Sequence, residues 1–121
     1  MDIENSYQKQ GGQFWVAINE RKEVLGCIGL VALEQDNVAL KKMFVSKNYR
    51  KAGLGKELLK AFVAYCQKEQ KKAIFLGTTT DFEAAQHFYR KFGFQAIESS
   101  NLPADFPRLA VDNRFYTYVI N

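Results

Sequence analysis

A chain of 121 residues with 47% hydrophobic and 25% charged side chains can bury one core but not two, so a single domain over residues 1–121 is expected. The net charge of +4 is small, and no motif that enters a nucleic-acid groove is present, which makes a nucleic-acid-binding protein unlikely. The longest apolar run, 24–33, is too short to cross a bilayer, and the chain starts without a signal-peptide pattern. We therefore expect a cytoplasmic protein with no membrane partner.

Cys27 and Cys66 lack C-x-x-C spacing, and we expect reduced thiols and no metal site.

Three strands are predicted in the first half of the chain. Apolar runs rich in β-branched residues at 14–19 and 24–33 flank the polar stretch 20–23, a pattern typical of a hairpin. A third strand is predicted over 38–45, so the chain is expected to open almost directly on a meander. Within the third strand, two pairs of side chains are expected near opposite faces: Leu40 with Phe44, and Met43 with Val45.

Two amphipathic helices are predicted next. The first begins at Leu54 and ends near Lys71, because apolar residues recur there at three- and four-residue steps. The second is expected to begin at an Asp81 cap and to end at Gly93. Its inner stripe is predicted to contain Ala84, Ala85, Phe88, Tyr89 and Phe92.

Three more strands complete the predicted sheet. One covers 73–76 between the helices, and two others cover 94–97 and 115–120, joined by the loop 99–113. The resulting order, β-β-β-α-β-α-β-β, combines a meander with strand–helix–strand crossovers. It predicts an α+β fold in which helices pack on a mixed sheet.

The segment 38–56 has the pattern of an anion-binding site. It reads as a strand, a basic turn that contains Gly53 and Gly55, and the start of a helix. Glycines allow close approach of a ligand to the backbone, and the free N–H groups of a first helical turn attract anions. A Walker A loop is excluded by Arg50 and Glu57, and a dinucleotide fingerprint is excluded by Leu58. A pyrophosphate group would fit this turn.

Two motifs of this sequence resemble the Gcn5-related N-acetyltransferase (GNAT) family. The family's loop has Arg or Gln, two residues, Gly, one residue, then Gly or Ala, and the stretch from Arg50 to Gly55 matches it fully. The family's later helix carries Ala, Tyr and then Gly-Phe, as the stretch from Ala84 to Phe94 does here. The resemblance implies a GNAT-like fold and an enzyme that transfers acetyl from acetyl-CoA to a primary amine in a ternary complex.

The resemblance also implies the cofactor contacts. The third strand would bind the pantetheine arm through its backbone, the turn and helix start would hold the pyrophosphate, and a lysine would meet the remaining phosphate. The implied cofactor-binding residues are Met43, Phe44, Val45, Arg50, Lys51, Ala52, Gly53, Leu54, Gly55, Lys56, Phe88, Tyr89 and Lys91. A splay beside the third strand would hold the thioester.

Tyr89 is the residue implied as catalytic. Its hydroxyl would lie near the sulfur and donate a proton to the leaving thiolate, since a phenol with pKa near 10 stays protonated at neutral pH. The N–H of Phe44 is a candidate for polarising the carbonyl. The residue that acts as general base is not identified, because Ala39 occupies the position where many relatives carry Glu. Ordered water is favoured as the proton relay over the other candidates, which are Glu34, Asp81 and His87.

The N-terminal part of the sequence also differs from the family pattern. Family members usually begin with a strand and two helices that wall the acceptor pocket, and this sequence lacks that pattern. Three explanations stay open: the loop 99–113 folds over the site, a second subunit of a homodimer completes it, or the chain is a non-catalytic acetyl-CoA-binding module. The acceptor is expected to be a small-molecule or protein amine.

Overall fold

The fold is built on one mixed sheet with helices on one face. The computed structural model describes residues 2–7 and 12–121. Its elements are β1 (Asp2–Tyr7), β2 (Gln13–Ile18), β3 (Val24–Ala32), β4 (Asn37–Val45), α1 (Leu54–Lys68), β5 (Ala73–Thr78), α2 (Glu83–Phe92), β6 (Gln95–Ile97) and β7 (Arg114–Val119). The sheet order is β1-β2-β3-β4-β5-β7-β6, and β4 and β5 form its parallel pair. This arrangement confirms the predicted α+β class.

The strand β1 is the main difference from the predicted order. It pairs antiparallel with β2, from Asp2 opposite Ile18 to Tyr7 opposite Gln13. The expectation that the chain opens almost directly on the hairpin is therefore wrong. Residues 2–6 are exposed except for the half-buried Ile3, so this edge strand is held by backbone pairing and has no apolar alternation that a sequence pattern could detect.

The two faces of the sheet are covered differently. The main core lies between the sheet and the helices, where Phe62 of α1 and Tyr89 of α2 join Leu40, Leu76 and Tyr116 of the strands. A smaller cluster on the opposite face contains the buried residues Ala39, Leu102 and Phe106. Since Leu102 and Phe106 belong to the 98–113 connection, that loop replaces a helical layer on the second face. No helix in the described part of the chain is long and apolar enough to span a membrane.

The start of α2 differs from the prediction in three ways. The helix begins at Glu83 after Phe82, and no side chain caps it, so Asp81 is not the N-cap. Ala84 is exposed and not part of the inner stripe. Gln86, which is not part of the predicted inner stripe, is buried and accepts a hydrogen bond from the Tyr116 hydroxyl at 3.2 Å. A polar residue with a buried partner cannot be distinguished from a surface residue by periodicity alone.

The strand β4 contains a bulge that changes which faces its side chains occupy. Cys27 is paired with Phe44 and Gly29 with Lys41, so one residue of β3 opposes two of β4. Lys42 has a φ of 54°, in the left-handed region. Consequently Leu40, Met43 and Val45 all face the main core, and Phe44 is 50% exposed on the other side. The predicted pairing of Leu40 with Phe44 on one face is wrong because a bulge adds one residue to the alternation.

The buried bond between Gln86 and Tyr116 generates a stability prediction. Tyr116→Phe should destabilise the protein by about 1–2 kcal/mol, because the Gln86 carbonyl oxygen loses its buried donor. Tyr118→Phe, on the same strand but less buried, is the matched control and should cost less than about 0.5 kcal/mol. Urea unfolding measures both free energies, and equal losses would contradict a structural role for this bond.

Candidate functional site

The sheet opens between its two parallel strands. β4 and β5 are paired at only three positions, from Asn37 opposite Ala73 to Ala39 opposite Phe75. Beyond them, 40–45 of β4 and 76–78 of β5 continue as strands without pairing to each other. We call this gap, bounded by 40–45 and 76–78, the open seam. Backbone groups along it lack sheet partners and can bind an extended ligand as an added strand would.

The direction of backbone groups in β4 identifies which of them face the open seam. The Arg50 Nε donates to the Val45 carbonyl at 3.2 Å, from the side away from β3. Because N–H and C=O of one strand residue point to the same edge, the Val45 amide also faces the seam. The Phe44 amide instead hydrogen-bonds the Cys27 sulfur on β3, and the Ser46 N–H donates to Leu25 O at 2.7 Å. Val45, and not Phe44, therefore supplies the seam-facing amide.

The start of α1 lies uncovered at the end of this seam. Gly53 has a φ of 80°, and nothing lies within 4 Å of the position that a Cβ would take there. No side chain caps the helix, and the hydrogen bond from Glu57 N to Gly53 O, at 3.1 Å, opens the helical ladder. The amides of 54–56 precede that ladder, so they are the groups that attract an anion to a helix N-terminus.

Four of the predicted site residues meet at one place. A Cβ added to Gly55 would lie 3.4 Å from Phe88 Cζ, 3.5 Å from Val45 Cγ2 and 3.6 Å from Met43 Cε. Strand β4, the start of α1 and helix α2 therefore converge where the sequence placed the cofactor contacts. A Cβ at 55 would be in ordinary van der Waals contact with all three neighbours, which agrees with the Gly or Ala of the motif, whereas a longer side chain would fill the space between them.

The basic residues predicted for the site have exposed side chains where the structure describes them. The side chains of Arg50, Lys56 and Lys91 are exposed, and Leu54 is buried in the core, so that only its backbone is available. Ala52 is exposed and, with Lys51, lies in the 3-10 turn Lys47–Ala52. The side chain of Lys51 lies outside the described part of the structure. Arg50 and Lys56 are close in sequence to the amides at the start of α1, and exposed cations beside such amides favour anions.

Tyr89 has the environment of a residue that stays protonated. Its ring packs among Phe88, Phe94 and Tyr116, with centroid distances of 5.5, 5.5 and 6.5 Å. Burial raises the pKa of the Tyr89 phenol above its usual range, because the phenolate would be poorly solvated. Within residues 2–7 and 12–121, no group hydrogen-bonds this hydroxyl, which leaves it free for a ligand.

The candidate bases named from the sequence lie in separate elements of the structure. Glu34 lies in the turn between β3 and β4, and Asp81 precedes α2. His87 is exposed and lines a cavity of about 290 Å³ that is open to solvent, together with Thr80, Glu83, Gln86, Arg90 and Arg114. Ala39 is fully buried among apolar side chains. Sequence reasoning missed Lys41 and Asp112, which lie on the second face of the sheet beside the seam.

The loop 98–113 lies on that second face, where Leu102 and Phe106 pack against Ala39. Glu34 N donates to the Asp105 carboxylate at 2.8 Å, and Lys41 Nζ donates to Pro107 O at 2.8 Å. Asn113 N donates to Thr78 O at 2.9 Å and holds the end of the loop against β5. Among the described residues, no group of three or more His, Cys, Asp or Glu could hold a metal ion.

Comparison with known proteins gives one family. The model of the acetyltransferase (GNAT) family matches residues 2–94. The N-acetylaspartate synthetase of Xenopus tropicalis is 39% identical over 98 residues, which are 79% of this chain and 36% of that protein. The chain thus spans about a third of the length of this curated relative.

Solved structures agree with this family. A GNAT-family acetyltransferase from Staphylococcus aureus Mu50 is 45% identical and superposes with a TM-score of 0.92, over 95% of this chain and 72% of that one. A GNAT-family acetyltransferase from Elizabethkingia anophelis, solved with acetyl-CoA bound, has a TM-score of 0.71. At 20% identity, over 89% of this chain and 76% of that chain, the second likeness is one of fold alone.

Proposed function

The chain belongs to the GNAT acetyltransferase family, and from that premise we propose that it transfers the acetyl group of acetyl-CoA to a primary amine. Direct attack in a ternary complex is the mechanism, since the chain offers an acid for the thiolate. The observation that carries the proposal is the convergence of Met43, Val45, Gly55 and Phe88 at the end of the open seam. A fold can be shared without its function, whereas this arrangement supplies a cofactor groove.

The groove would hold acetyl-CoA along its length. The Val45 carbonyl would accept a hydrogen bond from the pantetheine arm, and the amides of 54–56 would bind the pyrophosphate, with Arg50, Lys56 and Lys91 near the phosphates. To contact the phosphates, the Arg50 guanidinium would either release the Val45 carbonyl or use its other N–H groups while keeping that hydrogen bond. Lys51 is, with Lys56 and Lys91, one of the three lysines that could meet the remaining phosphate, and it is kept as a candidate on the motif alone.

The chemistry assigned to the chain's own residues has two parts. The Val45 amide, which faces the seam, would donate to the thioester carbonyl and stabilise negative charge that develops on its oxygen. Tyr89 would donate its proton to the sulfur as the C–S bond breaks. Its raised pKa keeps the proton in place throughout the neutral range, so that the acid is present in nearly every molecule.

The acceptor, the assembly and the location are proposed more coarsely. A primary amine is the acceptor class, and the name of the relatives makes L-aspartate one compound to test. The homodimer and the cytoplasmic location stay predictions from the sequence.

A thiol-release assay tests the proposed function. Protein and acetyl-CoA are incubated with L-aspartate, spermidine or a short peptide with a free amino terminus, and free thiol is followed with a chromogenic disulfide. We expect at least one amine to accelerate thiol release and to yield its N-acetyl product by mass spectrometry. If acetyl-CoA binds but no amine in a broadened panel is acetylated, the chain is instead a non-catalytic acetyl-CoA-binding module.

The role of Tyr89 gives a second prediction. Tyr89→Phe should lower kcat by about 10²-fold, because the thiolate leaves without a proton, and should leave the affinity for acetyl-CoA nearly unchanged. Phe94→Leu alters the same aromatic cluster without removing a proton donor and is the matched control. A Tyr89→Phe enzyme with wild-type kcat would remove this residue from the mechanism.

A further inference from the structure

One carboxylate oxygen of the second face is buried without a partner, although Asp112, the residue that carries it, is only half-buried. The Oδ2 atom of Asp112 is inaccessible to solvent, and in the described part of the chain it has no hydrogen-bond donor. A buried, unpaired carboxylate oxygen is costly, because it has lost water and gained nothing in return. Such a group in a folded protein requires an explanation, and a missing ligand is one of the few available.

Asp112 lies over the second face of β5, next to the part of that strand that borders the open seam. A Cβ added to Gly77 would lie 2.6 Å from Asp112 Oδ2 and 3.0 Å from its Cγ, so the carboxylate lies directly on the backbone of Gly77. Gly77 belongs to the part of β5 that has no pairing with β4. Only glycine leaves room for the carboxylate at this position, since any side chain at 77 would occupy its place.

The surrounding charge is what an ionised carboxylate needs. Lys41 lies on β4, across the open seam from Gly77, and interacts electrostatically with Asp112. The ammonium of Lys41 is nevertheless occupied elsewhere. It donates to Pro107 O at 2.8 Å and lies 4.8 Å from the centre of the Phe106 ring. Among residues 2–7 and 12–121, one ion pair has a nitrogen–oxygen distance within 4.0 Å, and it joins Lys60 to Glu57. Asp112 therefore has no direct salt bridge in this part of the chain.

The two faces of the sheet then have separate tasks. The proposed cofactor groove involves Met43, Val45 and Phe88, which pack toward the main core on the helix face. Asp112 lies on the opposite face, where Phe106 of the same loop is buried. A carboxylate at this position can meet an amine that approaches the seam from the side opposite to the cofactor.

We propose that Asp112 binds the ammonium group of the acceptor and takes its proton during acetyl transfer. This assignment rests on the proposed function and supplies the base that Ala39 does not. It also selects the acceptor class, because a buried anion favours a cationic primary amine over an alcohol or a thiol.

The step balances as a proton transfer coupled to bond formation. The bound ammonium first passes one proton to the Asp112 carboxylate, and the lone pair that this frees then forms the N–C bond with the thioester carbonyl carbon. The C–S bond then breaks, and the sulfur takes the Tyr89 proton. The second proton lost by nitrogen returns to the Tyr89 phenolate through water, and the Asp112 proton goes to solvent. One acetyl group moves, the sum releases one proton, and no oxidant or metal is required.

Asp112→Asn tests the assignment, with the fastest amine of the panel and with hydroxylamine, which is uncharged at neutral pH. The variant should lower kcat/KM for the panel amine by about 10²-fold or more and change the rate with hydroxylamine much less. Acetyl-CoA affinity should be unchanged, and thermal stability should be equal or higher, because a buried unpaired charge is removed. Asp105→Asn, which loosens the same loop at Glu34, is the control and should retain most activity.

A measurement without turnover keeps the test independent of the panel. The Asp112 carboxyl carbon, assigned by NMR from its loss in Asp112→Asn, should shift saturably when n-propylammonium is added to the coenzyme A complex. Gly77→Ala should abolish that shift by displacing the carboxylate. The absence of a shift in the wild type, or equal losses with hydroxylamine and the panel amine, would overturn the assignment. If acetyl-CoA itself fails to bind, the proposed function fails first.

Discussion

The divergence of two parallel strands determines most of what this molecule can do. β4 and β5 share three residue pairs and then separate, although both continue as strands. Backbone groups on the two sides of the gap keep strand geometry but have no sheet partners, which is a costly arrangement unless a ligand or water satisfies them. The bulge at Lys42 contributes to this geometry, since an extra residue bends and twists the strand that bears it. The site is therefore a property of the sheet as much as of its side chains.

Two sets of contacts keep the gap functional. On the helix face, Phe88 of α2 lies against the start of α1 at Gly55, and Gln86 holds the same helix to Tyr116 of β7. On the other face, the 98–113 loop is hydrogen-bonded to the two strands that border the gap, to β4 through Lys41 and to β5 through Asn113. The sheet thus receives a rigid helical layer on one side and a loop on the other. Binding and acceptor recognition can then occupy different faces of one seam.

The sequence predicted the parts of this site that depend on local patterns. The stretch from Arg50 to Gly55 carries the turn and helix start within six residues, and the Ala84 to Phe94 stretch carries the helix with Tyr89, so short motifs were sufficient. Non-local features were not predictable. The bulge depends on pairing with β3, the Gln86–Tyr116 bond joins residues 30 apart, and Asp112 meets Gly77 only because the loop folds back on β5. Strand β1 was missed because an exposed edge strand is specified by its partner.

The central claim is that uncovered amides at the start of α1 bind the phosphates of coenzyme A. Calorimetric titration with coenzyme A measures this directly, using the wild type, Gly53→Val and Gly93→Ala. Gly93 is a second glycine with positive φ, and it lies at the C-terminal end of α2, away from the start of α1. We expect micromolar binding, near −8 kcal/mol, by the wild type and by Gly93→Ala, and a loss of at least about tenfold in Gly53→Val. No saturable heat with the wild type at about millimolar ligand, or equal affinity in Gly53→Val, would contradict the claim.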